Sequence, residues 1–367
     1  VSTQPPQSDA REVVCPYCLD RIPFRPDQLY ERNEHTNFEF TPVVLPRKDD
    51  NKLRYEDILR EAFQKCDNSA DLREHYLPAP YLTNGEPLTV ALVGSSRAGK
   101  THLLASMIGE VERGALDAHG LKAAPLHTES HRAYLNERVL RLRAGETLAH
   151  TEQTDFAEFA DGLLVSGGGA ARPRPVVFFD LSGEDLERTG RVTRFLAAVN
   201  AFLFVVDPLR ALPLPYLDAV RERTKQHTDD LGDRSFGTVL DRVPRDGRPY
   251  VNAPAAVVVG KSDLIRFEPA VARWLTAPEN ARPTARALRE ESRDVYAFLR
   301  HHGGPAWLKP FGDCARCTLH FASATGGQED AGGFPQGVRP RRVLSPLLSI
   351  FAMCGLLPGA DSQEVGL

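Results

Sequence analysis

Gly94-Ser95-Ser96-Arg97-Ala98-Gly99-Lys100-Thr101 decides how this chain folds. It follows the apolar run Leu88–Val93 and opens a stretch, His102–Arg113, with a helical pattern. Gly-x-x-x-x-Gly-Lys-[Ser/Thr] between a strand and a helix is a phosphate-binding loop. Its glycines let backbone N–H groups converge on an anion, and the helix N-terminus adds a favourable partial charge. Gly94, Ser95, Ser96, Arg97, Ala98 and Gly99 are therefore candidate ligand contacts. Lys100 is expected to reach the β- and γ-phosphates, and Thr101 to hold Mg²⁺ through its hydroxyl.

Strands and helices alternate outward from this loop over residues 88–356. Val176–Phe179, Ala201–Val206, Ala255–Val259 and Thr318–Ala322 read as short buried strands. Helical patterns fall near 131–143, 188–199, 216–227, 268–276, 281–301 and 341–356. Asp155–Val165 reads as a strand or hairpin arm, turning at Gly167-Gly168-Gly169 and the Pro173/Pro175 pair. Apolar strands of this kind suit a mostly parallel sheet covered on both faces, so the fold class is α/β, doubly wound. Residues 228–253 are polar and rich in turn formers, which predicts an insertion loop, and 326–338 a Gly-rich loop. Three parts are expected: an N-terminal extension at 1–87, the phosphate-loop domain at 88–356 and a tail at 357–367. Within the extension, Leu53, Ile58, Leu59 and Phe63 give residues 51–77 an amphipathic helix.

The 367 residues are 42% hydrophobic, enough for a sizeable core, and carry a formal net charge of −4. That balance gives no electrostatic case for nucleic-acid binding. Residues 1–10 are polar, without the apolar centre of a signal peptide, and Val343–Leu357 is interrupted by Pro346 and too short to span a membrane. A soluble, cytoplasmic protein is the expectation.

Six cysteines are too sparse for a disulfide scaffold. Cys15-Pro16-Tyr17-Cys18 has knuckle spacing and predicts half of a structural zinc site, which needs four ligands. Cys314 and Cys317 form a second Cys-x-x-Cys pair; if both pairs meet at the rear of the sheet, they make a Cys₄ site. His35, Cys66 and His75 are the alternative partners, and free buried thiols the alternative to any metal.

The remaining polar motifs lie at carboxyl ends of strands, where such sheets bind ligands. In Asp180-Leu181-Ser182-Gly183, Asp180 is expected to hold Mg²⁺, directly or through water, and the Gly183 N–H to contact the γ-phosphate. In Gly260-Lys261-Ser262-Asp263, the Asp263 carboxylate can accept from both guanine N1–H and N2–H₂; adenine lacks that donor pair. Lys261 would lay its stem along the base. Backbone N–H groups of Ser323-Ala324 would reach guanine O6.

GSSRAGKT, DLSG, GKSD and the Ser-Ala of SAT stand in the order of a P-loop GTPase of the Ras-like, translation-factor-related class, and residues 88–325 resemble that family. Gly260 departs from it, standing where the family has Asn or Thr to tie base loop to phosphate loop. With the Cys-Pro-x-Cys lead-in, the chain is also similar to the "double-GTPase" proteins of bacterial conflict systems. The resemblance implies GTP/GDP and Mg²⁺ as cofactors, with a protein effector or a second GTPase as partner. It also implies nucleotide-dependent self-association and slow hydrolysis without a partner. It points to Thr151, with Thr154 as alternative, as the switch threonine over Mg²⁺. Glu184 stands where a water-orienting glutamine is usual. Arg97 resembles the loop arginine of guanylate-binding proteins, which implies an arginine finger in cis; the alternative is a solvent-facing side chain. Two competing functions stay open: a GTP-binding scaffold with negligible hydrolysis, and an ATP-dependent P-loop enzyme.

Overall fold

In the computed structural model, the described residues are 12–33, 35, 37–67, 74–148, 158–167, 172–181, 191–245, 247–278, 283–330, 332–357 and 364–366. Thr151, Thr154, Gly183 and Glu184 lie outside them.

The extension holds a two-stranded ribbon, β1 (Glu12–Val14) and β2 (Arg21–Pro23), with the knuckle at its turn. A four-stranded antiparallel sheet follows, from β3 (Leu29–Glu31), β4 (Thr41–Val43), β5 (Phe63–Lys65) and β6 (Tyr76–Pro78). Helix α1 (Lys52–Glu61) is capped by the Asn51 side chain and stops at Ala62, whose backbone is extended. The amphipathic helix expected within 51–77 is α1, but its apolar face is smaller than expected: Phe63 belongs to β5, and Leu53 is 75% exposed. Helix α2 (Ala79–Thr83) leads into the main sheet.

That sheet is seven-stranded in the order β13-β12-β11-β7-β10-β9-β8. In chain order its elements start with β7 (Leu88–Val93), α3 (Lys100–Glu112), β8 (Leu121–Pro125) and α4 (Thr128–Tyr134). A π-type turn then runs into α5 (Arg141–Arg143), β9 (Glu158–Gly167), β10 (Arg174–Asp180), α6 (Arg191–Ala198) and β11 (Ala201–Val206). Next come α7 (Pro208–Ala211), α8 (Asp218–Thr224), α9 (Arg234–Arg242), β12 (Ala255–Val259), α10 (Pro269–Leu275) and α11 (Ala285–Phe298). The last are α12 (Lys309–Asp313), β13 (Cys317–Phe321) and α13 (Ser345–Met353). Strands β10, β7, β11, β12 and β13 run parallel, whereas β9 and then β8 add antiparallel edges.

Alternation along β7 explains the two layers. Leu88, Val90 and Leu92 pack with Leu104 of α3 and Leu347 of α13, while Ala91 and Val93 face a second core with Phe195 of α6 and Val239 of α9. Residues 228–253 are thus not merely an insertion loop. Phe236, Val239 and Leu240, at helical spacing, are buried on one face of α9, and truncating Leu240 to alanine should cost about 2–5 kcal/mol. The extension docks on α4: the Phe63 and His127 rings lie 4.3 Å apart, and His127 Nε2 is 3.2 Å from the Glu61 carbonyl oxygen. Among the described residues no helix is long and apolar enough to cross a membrane.

Candidate functional site

Register places the polar groups. Asp180 pairs with Leu92, next to the end of β7, so its carboxylate meets the start of α3. Val259 pairs with both Val206 and Phe321, so Gly260–Asp263 and Ala322–Ala324 leave the sheet side by side.

Backbone constraints shape the phosphate loop itself. A Cβ on Gly94 would lie 2.8 Å from the Val205 carbonyl oxygen, and Gly99 has φ +94°, which a side chain would strain. Arg97 also takes a positive φ, of 65°. Lys100 is buried and curls back, donating to the carbonyls of Gly94 at 2.7 Å and Ser95 at 3.1 Å. Thr101 Oγ1 lies 2.6 Å from Asp180 Oδ2. These are hard oxygen donors beside a cationic cradle, so the set fits Mg²⁺. Asp233, which the sequence reading passed over, accepts from the Ser95 N–H at 2.7 Å and from Ser235 N–H at 2.9 Å. Its available signal was the Asp-x-Ser helix cap before an apolar face.

A cavity of about 790 Å³ runs from this loop to the base-reading segments, with Thr101 and Asp180 at one end and Lys261, Asp263 and Ala324 at the other. Size and polarity suit a nucleotide. Asp263 Oδ1 accepts from Ser323 Oγ at 2.5 Å. Burial pushes the Asp263 carboxyl above its ordinary range, and the Ser323 bond partly offsets this. The expectation that Ser323 offers its N–H to guanine O6 fails, because that N–H donates to the Arg341 carbonyl at 2.9 Å. Ser323 aims the aspartate instead, and Ala324 remains beside the cavity.

Base loop and phosphate loop are braced at Lys261, next to Gly260. Lys261 Nζ donates to the Arg97 carbonyl at 2.7 Å and to Asp207 Oδ2 at 2.8 Å, joining base loop and phosphate loop. Asp207, fully buried at its side chain, also accepts from Gln226 Nε2 at 2.9 Å. A Cβ at position 260 would sit 3.3 Å from Val205 Cγ1 and 3.5 Å from the Ala98 carbonyl oxygen, so any side chain there would have to shift Val205 slightly. Arg97 is exposed, and its guanidinium donates to the Thr224 carbonyl at the end of α8 at 3.3 Å. It would have to leave that carbonyl to act as a finger.

The knuckle is corrected. Cys15 and Cys18 gather with Cys66 and His75, their ligand atoms all within 4.8 Å of one another. Cys15 Sγ is 3.2 Å from His75 Nε2 and Cys18 Sγ is 3.6 Å from Cys66 Sγ. An ion about 2.3 Å from each sulfur sits in a tetrahedron with edges near these lengths, so the Cys₃His set fits zinc. A hydrogen bond from Cys15, opposed by burial and aided by His75, pulls Cys66 down to about 4, into thiolate territory. The cluster is not at the rear of the sheet: Tyr17 packs edge-on against Phe179, 6.2 Å away, immediately before Asp180. His35 is exposed and outside the cluster. Cys314 and Cys317 are buried free thiols, burial holding Cys314 at about 12.

A strand–loop–helix phosphate cradle at a topological switch point, with an aspartate-bearing base loop in the same cavity, defines a P-loop GTPase. A family model described as Double-GTPase 2 matches residues 88–299, more than half of the chain. The chain belongs to the Double-GTPase 2 family. No curated protein matches it. Among solved structures it is similar to Sup35 complexed with GMPPNP, at 15% identity and a TM-score of 0.25, over 66% of this chain and 39% of that one.

Proposed function

We propose that this chain is a Mg²⁺-dependent, GTP-hydrolysing switch acting in a bacterial conflict, defence or signalling system. The observation that carries the reading is one cavity holding the Thr101–Asp180 pair at one end and the Ser323-braced Asp263 at the other. Mg²⁺, when bound, supplies charge neutralisation at the β- and γ-phosphates. Lys100 would exchange its two loop carbonyls for phosphate oxygens. Backbone N–H groups of the loop would cradle the β-phosphate, and Asp263 would select guanine by accepting two N–H donors that adenine does not offer. The state of the γ-phosphate would be read by a protein partner, either an effector or a second GTPase, with self-association as one form of that reading. Gly183 and Glu184 keep their proposed roles at the γ-phosphate and the attacking water, and Thr151 that of switch threonine. The Cys15–Cys18–Cys66–His75 set holds structural zinc and fixes the knuckle against β10.

One observation favours a second reading, a GTP-binding scaffold that hardly hydrolyses: the Arg97 guanidinium is engaged on Thr224. Single-turnover hydrolysis by the wild type and Arg97→Ala separates the two. A switch with a cis finger loses roughly a hundredfold or more in rate on mutation. Absence of turnover in both proteins supports the scaffold.

A further inference from the structure

The phosphate loop begins with a peptide unit that is held from both ends. The Gly94 carbonyl accepts from Lys100 Nζ at 2.7 Å, and the N–H of the same peptide, on Ser95, donates to Asp233 Oδ2 at 2.7 Å. A planar trans peptide points these two groups in opposite directions, so fixing the N–H also aims the carbonyl. Asp233 lies 138 residues further along the chain, at the start of α9, and is buried. Its other oxygen takes the Ser235 N–H at 2.9 Å and the Ser235 hydroxyl at 2.6 Å. The turn before it is fixed as well. Gly232 has φ +80°, and a Cβ there would stand 2.9 Å from the Ala306 carbonyl oxygen. The Trp307 indole donates to the Asp229 carbonyl at 3.0 Å, and Arg210 pairs with the Asp229 carboxylate at 2.9 Å. Capping α9 uses only one of the two Asp233 oxygens, and asparagine or serine caps a helix as well as aspartate does. A buried negative charge against the first residues of an anion cradle opposes phosphate binding. Capping alone therefore does not account for an aspartate at this position.

We propose that Asp233 is a positioning residue of the phosphate loop: it holds the Gly94–Ser95 peptide in the orientation that offers its carbonyl to Lys100, and so keeps the lysine in place for phosphate. This rests on the nucleotide-binding reading above. Pre-organising the loop lowers the ordering cost of binding, which is how a group that does not touch the nucleotide raises affinity for it. It also makes α9, within 228–253, a working part of the phosphate end.

The test measures GDP affinity for the wild type, Asp233→Asn, Asp233→Ser, Lys100→Ala and the double variant Lys100→Ala with Asp233→Asn. Thermal midpoints of the nucleotide-free proteins are read beside it. Both replacements at 233 keep a capping oxygen, but neither can accept from Ser95 and Ser235 as a carboxylate does. Asp233→Asn should weaken GDP binding roughly tenfold, and Asp233→Ser at least as much, both melting within about two degrees of the wild type. With Lys100 already removed, Asp233→Asn should change the affinity less than about twofold, because the two residues act on one peptide. Loss of the charge alone would tighten phosphate binding, so a weaker Asn variant reports the peptide and not the field. The proposal is overturned if Asp233→Asn binds GDP as the wild type does or more tightly, or if its full loss persists without Lys100. It is also overturned if both cap-retaining variants melt several degrees lower, which marks a helix cap only. A wild type that binds no GDP would instead overturn the underlying reading, and this proposal with it.

Discussion

At the phosphate end of the nucleotide cavity, eight consecutive residues make the cradle, with Asp233 bracing the Ser95 N–H from outside. Gly94 and Gly99 permit it, and Lys100 closes it on the Gly94 and Ser95 carbonyls. At the base end, nothing is contiguous. Lys261 and Asp263 come from one loop, Ser323 from another strand end, Asp207 from a third, and Gln226 from beyond α8. The first end is a local motif, and the second a tertiary assembly in which carboxylates are held by hydrogen bonds from neighbours. The contrast teaches that the base end draws its bracing from several parts of the chain, whereas the residues of the phosphate end are consecutive.

The sharpest way to break that contrast is Lys100→Ala. It removes charge-assisted bonds to two phosphates and should weaken GTP and GDP alike by roughly a hundredfold or more, with the fold intact by thermal melting. A loss of less than tenfold in equilibrium dialysis would mean the phosphate end is redundant. Next in size is the knuckle, which abuts the phosphate end through Tyr17 and Phe179. Metal analysis should find one zinc per chain, lost in Cys66→Ser together with roughly 5–10 °C of thermal midpoint, and retained in Cys317→Ser. The reverse pattern would return the site to the other Cys-x-x-Cys pair.

At the base end, Asp207→Asn leaves Lys261 with a weaker anchor. GDP affinity should fall about tenfold while the preference for GTP over ATP persists. An unchanged affinity would show that the brace is not needed. Smallest is the pH response. If Asp263 reads guanine, it does so as the carboxylate, and burial places its pKa above the ordinary 3.8. GDP affinity should therefore decline as pH falls, beginning at a higher pH than an ordinary carboxylate would give, with weak ADP binding unaffected. His131 supplies an internal control on stability. Burial opposes its charge, but its hydrogen bonds to the Asp161 and Glu112 carboxylates outweigh this and hold its pKa above 6.5. Its stabilisation is complete below 6.5 and lost as pH rises through the higher folded value, the opposite direction to the guanine effect.

What could be read from the chain alone follows the same division. GSSRAGKT, the strand before Asp180 and the GKSD loop are local patterns, and the structure puts Ser96–Thr101, Asp180, Gly260, Lys261 and Asp263 around one cavity. The braces are not local: no spacing announces that Asp233 reaches Ser95 or that Asp207 takes the Lys261 amine. Helix α9 was masked by polar flanks and Gly237, although Phe236, Val239 and Leu240 stand at i, i+3 and i+4. The extension's strands are three residues long, too short to show alternation. Edge strand β8 reads LKAAP, with a terminal proline and little β propensity, and forms because β9 offers it a partner. The two Cys-x-x-Cys pairs have identical spacing and different surroundings. Among the described residues only Cys15 and Cys18 meet a further thiol and an imidazole, so partner geometry, not spacing, decides which pair could bind metal.

The central claim is that one half-buried carboxylate, Asp263, chooses the base. Competition of GTP and ATP for the wild type and Asp263→Ala tests it most directly. The account predicts a preference for GTP of a hundredfold or more in the wild type, collapsing towards parity in the variant while phosphate binding persists. Equal binding of GTP and ATP by the wild type, or an undiminished preference in Asp263→Ala, would contradict it.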